Sequence, residues 1–405
     1  MASNLARSSR TWMVLGTVLC ALLWNLRSSG QDRNVSTAPF GSPLPDISAQ
    51  EFEQFRVGLE DFLEVEEPED GLGPVFNGRS CAECHNIPAV GGSGTILEMR
   101  AGRRDAEGNF DPLPGGSVFQ LFSIPPHTCQ EQIPPEANVV APRKSIPLFG
   151  AGLVEAIPDE ALTALADPDD RDGDGVSGRV HWVADAASGT TRAGRFGWKA
   201  QQATLLSFCA EAYLEEMGIT NELFPSENAP NGDAERLSRC LPIRTVRGIE
   251  DVPDRFTGLR GIDNFEAFLR FLAPPPRGKI TDLVQRGERV FAEIRCASCH
   301  VPVLLTGASA NPAFDRHPVS LYSDLLLHDI GTGDGIAQGA ALGEEIRTPA
   351  LWGLRVRRGL LHDGSAATPS DAILHHEQEA AEARRLFQAL PPEDVTALLA
   401  FLDSL

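Results

Sequence analysis

The chain has 405 residues, enough for two to three domains, and its 42% hydrophobic and 22% charged residues exclude disorder and call for a packed core. A formal net charge of −21 excludes a surface that holds nucleic acid or anionic lipid headgroups, and suits a basic partner protein. The 38 glycines and 30 prolines predict many loops joining short helices.

The N-terminus reads as an export signal. Arg7 and Arg10 give a positive start, residues 12–26 an apolar run, and Ser28, Ser29 and Gly30 small residues for cleavage before Gln31. The alternative is an uncleaved anchor, because the run is near the lower spanning limit. Cys20 follows Leu19, where a lipoprotein signal needs a small residue. No other long apolar run follows, so membrane contact is expected only through residues 1–30. The expected location is periplasmic or otherwise exported.

Residues 31–48 are polar and Pro-containing, a leader. Over 49–62, Phe52, Phe55, Leu59 and Phe62 recur at helical spacing. An acidic, Gly-rich stretch then leads to Cys81-Ala82-Glu83-Cys84-His85. Residues 86–250 mix short strands, turns and helices with no clear period. Within them DRDGDGVSG (170–178) sets Asp170, Asp172 and Asp174 at alternate positions before a Gly, the first half of a calcium loop. The twelfth position is His181 instead of Glu, so a calcium-binding turn and a plain Asp/Gly turn both stay open. A helical run over 264–272 ends at Pro274-Pro275-Pro276. The second unit opens with a helix over about 281–291, continues with Cys296-Ala297-Ser298-Cys299-His300, and closes with a helix over about 393–405. There Val395, Leu398, Leu399, Leu402 and Leu405 share a face.

The two halves echo one another: each places a Gly four residues before a Phe, Gly58/Phe62 and Gly287/Phe291, ahead of its Cys-x-x-Cys-His. The fold expected is mainly α. It has two cytochrome c-like domains, 31–273 and 277–405, the first enlarged by a long irregular insertion with short strands.

Cys-x-x-Cys-His is the spacing of covalent haem attachment: two thiols on one helical turn reach two vinyl groups, and the following His sits beneath the iron. Two such motifs predict two haem c groups, on Cys81, Cys84 and His85 and on Cys296, Cys299 and His300. The rivals are one four-thiolate zinc site and a thioredoxin-like redox pair. Zinc does not explain the two His or the export signal, and no βαβ pattern surrounds either pair. Of the eight cysteines, Cys20 leaves with a cleaved signal and four lie in the motifs. Cys129, Cys209 and Cys240 remain, so at most one disulfide forms among them.

GLGPVFNGRSC (71–81), LFGAGLVEAIP (148–158), GRFGWKA (194–200), RTPALWGL (347–354) and LHDG (361–364) resemble the di-haem oxidoreductase, putative peroxidase family over about 50–405. The resemblance implies two facing cytochrome c domains, one haem for electron entry and one for chemistry. It implies that His376 stands where related peroxidases place the Met that ligates the electron-transfer haem, with His362 and His328 as competitors. A His in place of Met lowers the reduction potential. It also implies a carboxylate over the open iron, matched by Glu216 beside Met217, with Glu155 as the alternative acid. Trp198 is the candidate relay between the haems, or else a core Trp. The haem on Cys81 and Cys84 is then the reactive one, fed by a donor such as a basic small cytochrome or cupredoxin, with an oxidant such as hydrogen peroxide. A non-enzymatic di-haem carrier is the alternative.

Overall fold

Ser48 starts the first helix with a capping box: its hydroxyl accepts from the Glu51 N–H, and Glu51 accepts from the Ser48 N–H. The helix, α1 (Ala49–Leu63), buries Phe55, Val57, Gly58 and Phe62. In the computed structural model, which describes residues 36 and 38–405 except 126, 241–250 and 256, all described residues belong to one compact unit, 36–405. The predicted signal or anchor over 1–30 lies outside the described residues. Among those described, no helix is long and apolar enough to cross a membrane.

In chain order the helices are α1, α2 (Cys81–Cys84), α3 (Ala151–Glu155), α4 (Asp159–Leu165), α5 (Leu205–Met217), α6 (Ala234–Cys240), α7 (Gly261–Phe271), α8 (Asp282–Glu293), α9 (Pro369–Leu374), α10 (Ala381–Gln388) and α11 (Pro392–Leu402). The helices expected over 49–62, 264–272, 281–291 and 393–405 are α1, α7, α8 and α11. The middle region supplies most of the strands. β1 (Val75–Phe76) pairs antiparallel with β5 (Phe122–Ser123), and β2 (Leu97–Arg104) pairs antiparallel with β3 (Phe110–Pro112), β4 (Val118–Phe119) and β6 (Val139–Lys144). β7 (Trp182–Asp185) and β8 (Thr190–Ala193) make a separate hairpin. The protein is therefore mainly helical with short antiparallel sheets. Cys129 and Cys240 form a disulfide with Cα atoms 5.7 Å apart, closing a separation of 111 residues, and Cys209 stays a buried thiol.

The sequence echo has a structural cause. α1 crosses α7 so closely that a Cβ on Gly58 would strike the Asn264 carbonyl. α8 crosses α11 in the same way, with Gly287 against the Ala397 carbonyl. One turn on, Phe62 packs tilted against Phe268 at 4.8 Å and Phe291 against Phe401 at 5.2 Å. The same phenylalanines flank the two motif histidines: Phe62 lies 6.4 Å from His85, and Phe291 lies 6.3 Å from His300. Each half thus uses a Gly to bring two helices together and a Phe to carry that packing to the motif.

Gly58→Ala and Gly287→Ala should each force the crossing apart and destabilise the fold by about 1–3 kcal/mol, the usual cost of overpacking. Thermal unfolding checks this: unchanged melting in both variants would show that the crossings do not constrain the fold.

Candidate functional site

Each Cys-x-x-Cys-His motif lies on a short turn that follows its Gly/Phe helix. Ser80 caps α2, its hydroxyl accepting the Ala82 N–H at 3.3 Å. The chain then curls back, so that the Nδ1–H of His85 donates to the Gly92 carbonyl at 2.8 Å. In the second motif Arg295 takes a left-handed conformation, Cys296–Ser298 makes a 3-10 turn, and the Nδ1–H of His300 donates to the Tyr322 carbonyl at 3.1 Å. A carbonyl oxygen only accepts, so both rings carry their proton on Nδ1 and keep a lone pair on Nε2. Burial pushes both imidazoles down to about 4, so each is neutral at pH 7.

Each histidine lines its own cavity with its two cysteines. The first cavity has a volume of about 230 Å³ and the second about 190 Å³, a near match. Neither cysteine pair is bridged, and burial pushes Cys84 and Cys296 each up to about 12. The four-thiolate zinc alternative is not assembled. Among the described residues, the groups of three or more that could hold a metal are Cys299, Asp324 and His328, and Asp170, Asp172 and Asp174.

Glu216 lines the first cavity. Its Oε2 accepts from Asn77 Nδ2 at 2.7 Å, and burial first, then the charge of Glu98, holds its carboxyl well above the usual range. Glu98, Glu211 and Glu215 line the same cavity, and burial pushes Glu215 up to about 7. Glu155 is outside both linings. It pairs with Arg270 at 2.9 Å and accepts the Leu205 N–H at 2.7 Å, which leaves it a structural part of the α5 start. Trp198 lines both cavities, its indole N–H donating to the Lys144 carbonyl at 2.7 Å and its ring edge-on to His362 at 6.3 Å.

His376 lines the second cavity, its Nδ1–H donating to the Ala372 carbonyl at 2.7 Å, so its Nε2 is free in the same sense as that of His300. His375 is exposed and outside the lining. His362 lines the cavity with a buried Nδ1 that has no partner. His328 has both nitrogens engaged, with Asp324 and Glu379 at 2.8 Å each. Burial alone would lower it, but the bonds to Asp324, Cys299 and Glu379 hold it well above its ordinary value.

Asp170, Asp172 and Asp174 come within 4.8 Å of one another, but Asp174 is already paired with Arg295 at 2.7 Å. His181 turns away, its Nδ1–H on the Lys199 carbonyl. Sequence reading missed Asn77, Glu98, Glu211 and Glu215, and the carbonyls of Gly92 and Tyr322. Carbonyl direction leaves no mark in sequence, and the glutamates carry no spacing signal.

Residues 132–405 match the family model described as "Di-haem oxidoreductase, putative peroxidase". The chain belongs to this family. The match includes the second motif and begins after the first. Membership makes it a di-haem oxidoreductase, with two haems. No curated protein matches the sequence significantly. Among solved structures, similarity is found to hydrazine synthase of Kuenenia stuttgartiensis, at 16% identity over 92% of this chain and 98% of that chain, TM-score 0.40. It is also found to a MauG-like protein associated with microbial copper homeostasis, at 15% over 91% and 94%, TM-score 0.40. A third is the dihaem peroxidase BthA from Burkholderia thailandensis, at 15% over 91% and 88%, TM-score 0.38. The residues fit the group the family calls for: each cavity offers a neutral imidazole with an available Nε2 beside two cysteines that form no disulfide.

A carboxyl raised in the fold keeps its proton longer than in the unfolded chain. The stability it contributes is present at low pH and lost as pH rises through the folded value. Glu215, raised from 4.5 to about 7, and Glu216, raised from 4.5 to about 8, place that loss between about pH 4.5 and pH 8, and the raised His328 has the same sign. The depressed His85 and His300 act oppositely, and below their unfolded value of about 6.5. Melting temperature should therefore fall from about pH 6.5 to about pH 8, and Glu216→Gln should flatten the slope. An identical slope in the variant would remove Glu216 from the account.

Proposed function

We propose that the protein is an exported di-haem c-type oxidoreductase that passes electrons from a small donor protein to an oxidant such as hydrogen peroxide. One observation carries the reading: both Cys-x-x-Cys-His motifs open onto near-equal cavities, each with its imidazole held neutral and Nε2 available. In this reading the haems attach to Cys81 and Cys84 and to Cys296 and Cys299, within halves 31–273 and 277–405. A disulfide between Cys129 and Cys240 supports an oxidising compartment.

When bound, haem iron supplies one-electron exchange. His85 and His300 would each hold one iron through Nε2. His376, whose Nδ1–H is taken up by the Ala372 carbonyl and which lines the cavity of His300, would be a second nitrogen ligand to that iron, and the donor protein would deliver electrons at that side. The net charge of −21 favours a basic donor, such as a small cytochrome or cupredoxin. At the first cavity Glu216 is the acid–base group. With Oε2 fixed by Asn77, its ionised form would take a proton from one peroxide oxygen and return it to the other, a form that gains population as pH rises toward about 8. Trp198, which lines both cavities, is the side chain through which electrons pass between them.

Protein matured with haem should carry two haems that survive denaturation, and the Cys81→Ala/Cys84→Ala variant should carry one. A variant that still holds two would remove the attachment assignment. In ferric spectra His376→Ala should convert the second haem to high spin while His375→Ala leaves it low spin; the reverse result would move the ligand by one residue.

Glu216→Gln should lower kcat for peroxide reduction by about 10²–10⁴-fold at unchanged haem content. Wild-type protein with two low-spin haems and no response to peroxide would instead identify an electron carrier.

A further inference from the structure

Buried cations in this protein come with carboxylates. Arg143 pairs with Asp334 at 2.6 Å, and Lys199 pairs with the same carboxylate at 3.2 Å. Arg195 pairs with Asp159. Burying a guanidinium removes its hydration, and only a nearby anion restores most of that loss.

Buried Arg347 and its half-buried neighbour Arg357 depart from the pattern. Neither has a carboxylate within ion-pairing distance among the described residues. Arg347 is 4% exposed, and donates from Nε to the Gly197 carbonyl at 2.8 Å and from Nη1 to the Thr348 carbonyl at 3.1 Å. Arg357 donates from Nη2 to the carbonyls of Ala350 at 2.6 Å and Trp352 at 3.3 Å, while its buried Nε has no partner. Carbonyls occupy donors but neutralise no charge. Burial accordingly pushes both guanidiniums down to about 10, and the charge of Arg357 depresses Arg347 further. Asp324 offsets part of the charge on Arg347 from a distance, but no carboxylate among the described residues pairs with either guanidinium, and two like charges held near each other call for an anion. Both residues line the first cavity and also the second.

We propose that Arg347 and Arg357 form one shared anion clamp, common to both cavities, that receives propionate carboxylates of the two haems. The proposal rests on the reading that both cavities hold haem. Haem is otherwise apolar, and its propionates are the part that requires a cationic partner. Two planar guanidiniums braced by carbonyls offer carboxylates the fixed fork that a lysine lacks. The backbone N–H of Arg347 also bonds the Trp198 carbonyl at 2.8 Å, so the clamp and the indole common to both cavities are built together. A positive charge shared by the two sites disfavours the more positive, oxidised iron at each. The clamp therefore sets both reduction potentials at once.

The test is spectroelectrochemical titration of the full chain after haem maturation, with covalent haem counted by pyridine haemochrome. Arg357→Gln should move the midpoint potentials of both haems to more negative values, with two haems still attached. A shift at one haem only, or at neither, overturns the shared clamp. Wild-type protein with fewer than two covalent haems would instead overturn the di-haem c reading. If Arg357→Gln does not accumulate, Arg357→Lys keeps the charge and loses the fork. Its potentials should then stay close to wild type while the propionate-bending bands in resonance Raman spectra shift for both haems. Unchanged bands would overturn the clamp as well.

Discussion

The hydrogen bond from a buried imidazole N–H to a backbone carbonyl is the constraint on which the rest of this structure depends. At His85 the acceptor is Gly92 and at His300 it is Tyr322. Because a carbonyl cannot donate, each bond selects one tautomer and leaves Nε2 as a lone pair. Burial adds the second condition by keeping the ring neutral near physiological pH. A ring with these two properties is a metal ligand before any metal arrives. His376 meets the same conditions through the Ala372 carbonyl, while His328, gripped by two carboxylates, is kept protonated.

Around these rings the fold repeats one device. A glycine lets two helices cross at backbone contact, and a phenylalanine one turn later carries that crossing to the histidine. The first half uses α1 and α7, the second α8 and α11. The two cavities diverge in their polar walls. The first collects Glu98, Glu211, Glu215 and Glu216 and suits proton chemistry. The second sets His376, a nitrogen donor, in the same lining as His300. The asymmetry of walls around a symmetric support is the physical basis for assigning different work to the two sites.

Charge placement follows the same economy of desolvation. Arg143 and Lys199 share Asp334, and Arg195 leans on Asp159, so the interior balances most of its cations internally. Among the described residues, the side chains of Arg347 and Arg357 hydrogen-bond only carbonyls, beside the two cavities that the haems of this family would fill.

Much of this was legible in the sequence. Cys-x-x-Cys-His is a local motif whose spacing fits thiols and ligand on one turn, so both candidate attachment points could be named without a fold. The helices carrying Phe55, Phe62 and Val395 announced themselves by period, and Gly58 and Gly287 by their shared offset from a Phe. Glu216 and His376 came from resemblance to a family, and only the tertiary structure placed each in a cavity and took Glu155 out of contention by tying it to Arg270. The choice between His375 and His376 belongs to the same class, since neighbours on a helix point about 100° apart and only packing decides which one faces in. The pairing of Cys129 with Cys240 across 111 residues, the carbonyls that lock the histidines, and the unpaired state of Arg347 and Arg357 had no sequence signature at all. Each depends on groups brought together from distant segments, through backbone direction and burial, and these exist only once the chain is folded.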